Sequence, residues 1–164
     1  MKFIDPQEDR LQSAWGGAEP AECAIMTLEQ WHAVRRRWPA MPRIGIVLAN
    51  DQDVALLADD LARLAAVVLQ FPKWTDGRAY TQARLLRTRF RYGGEIRASG
   101  DVLVDMLPML QRTGFDAVQL RSDQDLASAR RALRFFAAHY QGDVNEPRPL
   151  FARCNPQVLA SVGD

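Results

Sequence analysis

Short runs of β-branched and aliphatic residues alternate with longer stretches that carry an apolar residue every third or fourth position through the middle of the chain. The runs read as buried strands and the stretches as amphipathic helices. Arg43–Ala49 is the first strand, and Asn50–Asp51 then caps a helix with Val54, Leu57, Leu61 and Leu64 on one stripe. Ala66–Phe71 is the second strand and Pro72–Asp76 the turn after it; the next helix buries Ala79, Ala83, Leu86 and Phe90. The third strand is Glu95–Ser99, and its helix opens at Asp101 with Val102, Met106 and Met109 inward, Pro108 threatening a kink or an early stop. Asp116–Leu120 is the fourth strand, and Ser122–Asp125 caps a helix with Leu126, Ala129, Leu133, Phe136 and Tyr140 on its apolar stripe.

Alternation of this kind predicts an α/β fold, a single domain with about four βα units around a parallel sheet joined by right-handed crossovers. Two architectures suit it, a half-barrel-like sheet and an open doubly wound one. Gln70, Arg97 and Gln119 bear on the choice, since each lies near the C-terminal end of a strand with apolar neighbours pointing the other way. A sheet covered on both faces disfavours such residues, whereas a barrel-like curve turns all three toward a shared, partly wet interior. The half-barrel reading therefore requires Arg97 and Gln119 on one face.

The ends are less regular. Thr27–Gln30 forms a capping box ahead of an N-terminal helix with Leu28, Trp31, Val34 and Trp38, which Pro39 to Pro42 stops. Lys2–Ile4 reads as a short strand and Trp15–Pro20 as turns. The chain thus divides into an N-terminal segment (1–26), the α/β domain (27–141) and an extended C-terminal tail (142–164) rich in Pro, Asn and Asp, anchored at Leu150–Phe151.

Composition narrows the function. The 164 residues are 48% hydrophobic and 25% charged, as for one ordinary globular domain, and 21 basic against 20 acidic side chains leave a net charge of +1. That balance gives no electrostatic case for nucleic acid or an anionic membrane as partner. Without an apolar run of signal or spanning length, a cytoplasmic location is expected. Cys23 and Cys154 are too far apart for a metal or redox pair, and His32 and His139 stand alone inside helices, so no metal site is expected. No Gly-x-Gly-x-x-Gly and no Gly-Lys-Ser/Thr loop is present, and no cofactor is expected. The aromatic residues Trp31, Trp38, Phe90, Phe135, Phe136 and Tyr140 are spaced as core or interface.

Candidate chemistry concentrates where the second strand ends and its helix begins, in Phe71-Pro72-Lys73-Trp74-Thr75-Asp76-Gly77-Arg78-Ala79-Tyr80-Thr81-Gln82-Ala83-Arg84. The helix start near Gly77 can hold an oxyanion on free N–H groups, with Lys73 and Arg78 as counter-charges and Arg97 as a bidentate clamp. Tyr80 and Gln82 complete the candidate ligand-binding set. Asp76 and Asp101 are first of all expected as helix caps, with proton transfer or holding the arginines in place as the further roles open to them. Arg84, Arg87 and Arg91 are expected on a solvated face, and Arg97, mid-strand, needs a partner, which Glu95, Asp76 or Asp101 could provide.

The same string, with Gly94-Glu95-Ile96-Arg97-Ala98-Ser99-Gly100-Asp101-Val102 and Gly114-Phe115-Asp116-Ala117, resembles an uncharacterised bacterial family, domain of unknown function 934, over roughly Thr27 to Tyr140. Phe71, Pro72, Lys73, Asp76, Gly77, Arg78, Tyr80, Gln82, Ala83, Arg84, Gly94, Glu95, Arg97, Gly100 and Asp101 carry the likeness, while Trp74 and Ser99 stand at variable places. The resemblance implies a role in assimilatory sulfite reduction, a pathway and not a mechanism. Two functions follow: a non-catalytic accessory protein docking on sulfite reductase through the Arg78–Arg91 helix, or a small oxyanion-binding enzyme or oxidoreductase of that pathway using the Lys/Arg site. An unpaired edge in a half-barrel would favour a homodimer.

Overall fold

The apolar runs become strands of one sheet. The computed structural model describes residues 1–5, 24–39, 44–135 and 139–153. Its strands are β1 (Lys2–Phe3), β2 (Ile25–Thr27), β3 (Ile44–Leu48), β4 (Leu64–Phe71), β5 (Glu95–Gly100) and β6 (Ala117–Val118), all parallel, in the spatial order β1-β6-β5-β4-β3-β2. The helices are α1 (Leu28–Val34), α2 (Arg78–Thr88), α3 (Leu107–Thr113), α4 (Leu126–Phe135) and α5 (Leu150–Arg153). The expected Trp15–Pro20 turns, both cysteines, Pro42, Phe136 and Pro156 lie outside the described residues.

From β2 to β6 each strand is laid beside its predecessor, so every crossover steps the same way. The sheet is not closed into a barrel, and β1 and β2 are its edges. Register assigns the faces. Met26, Ile46, Val67 and Ile96 form one row across four strands, and Leu48, Leu69, Ala98 and Val118 the next. These side chains form one core with Trp31 of α1, Leu57, Leu86 of α2, Leu110 of α3 and Ala129 of α4. The helices therefore cover a single face, as right-handed crossovers stepping one way require. A doubly wound sheet would divide them between two faces, so the open sheet is of the half-barrel kind. A register shift between Ile44 and Gly45 lets Leu64 and Val67, three residues apart, both join this core.

The opposite face carries the row Thr27, Val47, Val68, Arg97, Ala117 and Lys2. One step along, Gln70 pairs with Ser99, and the Gln119 N–H donates to the Ala98 carbonyl (2.9 Å), bringing Gln119 level with Ser99. Gln70, Arg97 and Gln119 thus share the face away from the helices, as the half-barrel reading requires. Arg97 is only 5% exposed and hydrogen-bonds Glu95, two residues earlier on the same face, whose carboxylate also lies 4.0 Å from Lys2 Nζ.

Local structure departs from the periodicity in three places. The stripe Val54, Leu57, Leu61 and Leu64 is buried as predicted, but on two 3-10 turns, Val54–Leu57 and Leu61–Arg63, and the first residue of β4. Asp60, between the turns, is buried and accepts from Trp31 Nε1 and Arg35 Nη1 (both 2.9 Å), which takes the backbone out of a continuous helix. Pro108 opens α3 instead of breaking it, because proline's fixed φ and missing N–H suit a first turn. That shifts the buried face to Leu107, Leu110 and Thr113 and leaves Met109 exposed. Finally, Tyr140 lies apart from α4 and exposed; its ring meets Phe151 of α5 at 5.8 Å, and its carbonyl accepts from Leu150 N–H. The capping box at Thr27 and Gln30 forms as expected.

Arg87 is the largest departure. Far from joining a solvated face, it turns inward at the N-terminal end of the sheet. It donates to the carbonyls of Gly114 (3.0 Å), Gly94 (2.9 Å) and Tyr92, and pairs with the Asp116 carboxylate. Asp116 in turn accepts from the Ile96 N–H (2.8 Å). One side chain thus ties α2 to the chain entering β5 and β6. Gly114 makes room for it: at φ 101°, a Cβ there would stand 2.6 Å from Arg87 Cγ. Replacing Arg87 by Ala strands several carbonyls and a carboxylate. Urea unfolding is expected to show a loss of about 2–4 kcal/mol, against no more than about 0.5 kcal/mol for Arg84→Ala.

Candidate functional site

Because every crossover runs the same way, the loops leaving β3, β4, β5 and β6 meet at one end of the sheet, the customary place for binding groups in parallel α/β proteins. β4 ends at Phe71; a turn closed by Asp76 N–H to the Lys73 carbonyl (2.9 Å) then delivers the chain to α2.

Asp76 organises this turn. Its Oδ1 accepts from the Arg78 backbone N–H (3.2 Å) and from Arg78 Nε (3.0 Å), and its Oδ2 from Arg78 Nη2 and Asn50 Nδ2 (both 2.7 Å). Asn50, buried just beyond β3, thereby joins its loop to that of β4. The Arg78 guanidinium and N–H, aided by Asn50, hold the Asp76 carboxyl at a pKa of about 2. Gln82 fastens the same two loops from α2, with Nε2 donating to the carbonyls of Ala49 and Gln52 (both 2.8 Å).

Asp101 does not cap a helix; the next turn begins only at Val104. Its Oδ2 instead accepts from the Trp74 N–H (3.0 Å) and its Oδ1 from Arg121 Nη1 (2.7 Å), so it links the loops of β4, β5 and β6. Those two donors keep its pKa below the usual carboxylate range. Arg121 also grips Asp123 through two hydrogen bonds (2.6 and 2.8 Å). Gly100 permits the close passage of β4 and β5. At φ 96° its Cβ would fall 2.4 Å from the Phe71 carbonyl oxygen, which accepts from Asp101 N–H (2.8 Å).

The structure divides the residues singled out in the sequence. Asp76, Arg78 and Gln82 come together with Asn50, and Asp101 joins them through the backbone of Trp74. Gly77 sits at an ordinary φ of −83° with nothing nearer than 3.6 Å to a Cβ, so neither conformation nor space demands glycine there. Tyr80 packs edge-on against Phe71 and Phe115, with ring centroids 5.2 and 6.4 Å away, and burial raises its phenol pKa. Lys73 is exposed and makes no ion pair among the described residues, and Trp74 beside it is 55% exposed. Arg97 lies within β5 on the face opposite the described helices, whereas Arg78 closes on Asp76 in the loop above the strands. Arg121 was not among the candidates; an arginine directly after a predicted strand and two residues before an aspartate was the available signal. Among the described residues no group of three potential metal ligands occurs, and no helix is long and apolar enough to cross a membrane.

These loops lie inside a family match. The family model described as bacterial protein of unknown function (DUF934) matches residues 45–151. The chain belongs to this family. The DUF934 match takes in β4 to β6, α2 to α4, the loop residues Asn50, Asp76, Asp101 and Arg121, and the inward Arg87. It starts later than the resemblance in the sequence and reaches further into the C-terminal segment. No curated protein matches the chain.

Chemically, both loop carboxylates are held ionised by donors that occupy their lone pairs. Neither is poised near neutral pH for proton transfer. Two measurements test this assignment. Asp76 stabilises the fold through its ionised form, in full above the ordinary pKa of 3.8 and progressively less as pH falls through about 2. The difference in urea midpoint between the native chain and Asp76→Ala should therefore be constant from pH 8 to 5 and shrink below pH 4. Gly100→Ala, forced into a positive φ against a backbone oxygen, should cost more than about 2 kcal/mol in the same assay.

Proposed function

We propose that this DUF934 protein is a non-catalytic, cytoplasmic accessory of assimilatory sulfite reduction that docks on sulfite reductase. The observation carrying the non-catalytic half is the engagement of Asp76 and Asp101. The only carboxylates singled out for chemistry are spent on joining loops, and both stay ionised well below neutral pH. The pathway rests on the family resemblance. With Arg87 turned inward, the docking surface is narrower than the full Arg78–Arg91 helix. It consists of exposed Lys73 and Trp74 on the latched β4 loop, with Arg89 and Arg91 at the far end of α2 and beyond. Rigid loops presenting an exposed Trp and unpaired cations suit a preformed contact with an acidic partner surface.

A second reading, a small oxyanion-binding enzyme or oxidoreductase of the same pathway with a site at the strand ends, is favoured by one observation: Lys73 makes no ion pair among the described residues. The two are separated by co-purification and titration. Tagged protein should retain sulfite reductase from its own cell extract and deliver it at a defined stoichiometry after reconstitution from purified components. Lys73→Glu combined with Trp74→Ala should weaken that complex at least tenfold without lowering the thermal midpoint. Failure of the purified proteins to associate, with saturable sulfite binding abolished by Lys73→Ala, would replace the accessory reading with the enzymatic one.

A further inference from the structure

Arg84 belongs to the motif but takes no part in the strand-end latches, and it faces a separate cleft. There it stands one helical turn before Thr88; these two, with Arg112 of α3 and Asp143, Val144 and Pro147 of the following segment, line a cavity of about 270 Å³. We propose that this cleft binds a small oxyanion held between the guanidinium groups of Arg84 and Arg112.

Three observations converge on it. Arg112 Nε is buried and has no hydrogen-bond partner among the described residues; the carboxylate beside it, Asp143 Oδ2, is 3.9 Å away, too far for a hydrogen bond. The Arg84 side chain likewise makes no hydrogen bond or ion pair among the described residues. The wall opposite the helices is also built, not incidental. Asp143 Oδ1 accepts from the N–H groups of Asn145 and Glu146 (both 2.9 Å), folding the segment into a turn. Val144 N–H and Asn145 Nδ2 then fasten that turn to the carbonyls of Arg112 (3.3 Å) and Gln111 (2.9 Å).

Charge and size define the ligand. Two guanidiniums face one carboxylate, so the cleft has a surplus positive charge, and planar guanidiniums match the spacing of oxyanion oxygens. The Thr88 hydroxyl is already donated to the Arg84 carbonyl (2.8 Å), which leaves the arginines as the donors. The volume is at the small end for ligand pockets and fits sulfate, phosphate or the charged group of a compact organic ester. This site stands apart from the β4 loop that carries Lys73 and Trp74, and its test does not depend on the accessory reading.

Thermal unfolding and calorimetric titration with sodium sulfate, sodium phosphate and glycerol phosphate, each against sodium chloride at equal ionic strength, test the proposal. At least one oxyanion should bind saturably with one site per chain and raise the thermal midpoint by about 3 °C at ten times its Kd. Tighter binding of glycerol phosphate than of both inorganic ions would identify an organic ester as the ligand, and the reverse order a free anion. Arg84→Ala and the length-preserving Arg84→Gln should each weaken binding at least tenfold, and exposed Arg130→Ala should leave it unchanged. Asp143→Asn keeps the acceptor that folds the turn but removes the opposing charge, and should tighten binding several-fold. Responses to all three anions no greater than to chloride, or a response that survives both Arg84 substitutions, would overturn the assignment.

Discussion

Everything in this molecule follows from laying each strand from β3 to β6 beside the one before it, parallel and always on the same side. Parallel neighbours need a crossover, and crossovers of one hand that step one way must all return over the same face. Hence the core forms between that face and α1 to α4, and Trp31, Leu57, Leu86 and Leu110, from four separate connections, share one cluster with Ala129 of the helix after β6. The same geometry gathers the loops at the strand ends, so that loops distant in sequence become neighbours in the order β3, β4, β5, β6. The latches respect that order: Asn50 reaches Asp76, the β4 loop reaches Asp101 through the Trp74 N–H, and Asp101 reaches Arg121.

Arginines do most of the joining, and their environments separate structural from available ones. Arg87 is spent on carbonyls and Asp116, Arg121 on two aspartates, Arg78 on one, and Arg35 with Trp31 on buried Asp60. A guanidinium has five donors in a fixed plane, which lets a single residue serve several chain segments at once. Such multiply bonded arginines hold the frame, whereas Arg84 makes no hydrogen bond or ion pair with its side chain among the described residues and is the kind of arginine that the proposed anion cleft uses.

The strands were legible because buried parallel strands are written as continuous apolar runs, and Ile44–Leu48 and Leu64–Phe71 contain little else. The stripe from Val54 to Leu64 was legible as burial and not as helix, since periodicity reports which side chains face inward and a buried aspartate bound to distant Trp31 and Arg35 decides the backbone. Gln70, Arg97 and Gln119 gave the one-sided winding away, as polar residues on the same face of successive strands. What could not be read was the destination of each charge. Arg84 and Arg87 look alike along the helix, yet one faces a cleft and the other a set of carbonyls, where Gly114, far off in sequence, leaves space for Arg87. Asp101 looked like a cap because caps are local and latches are not.

The two borders of the sheet carry a consequence for how these molecules behave at high concentration. A long bare strand at a border invites a neighbouring chain to add on, the first step toward fibrous aggregates. Here the border strands are the two residues Lys2–Phe3 and the three residues Ile25–Thr27, while the longest strand, Leu64–Phe71, is enclosed on both sides. Lys2 adds a charge at one border, and the face opposite the described helices carries the Arg97–Glu95 pair among further polar residues. A winding that leaves the sheet open thus leaves very little of it free to recruit another.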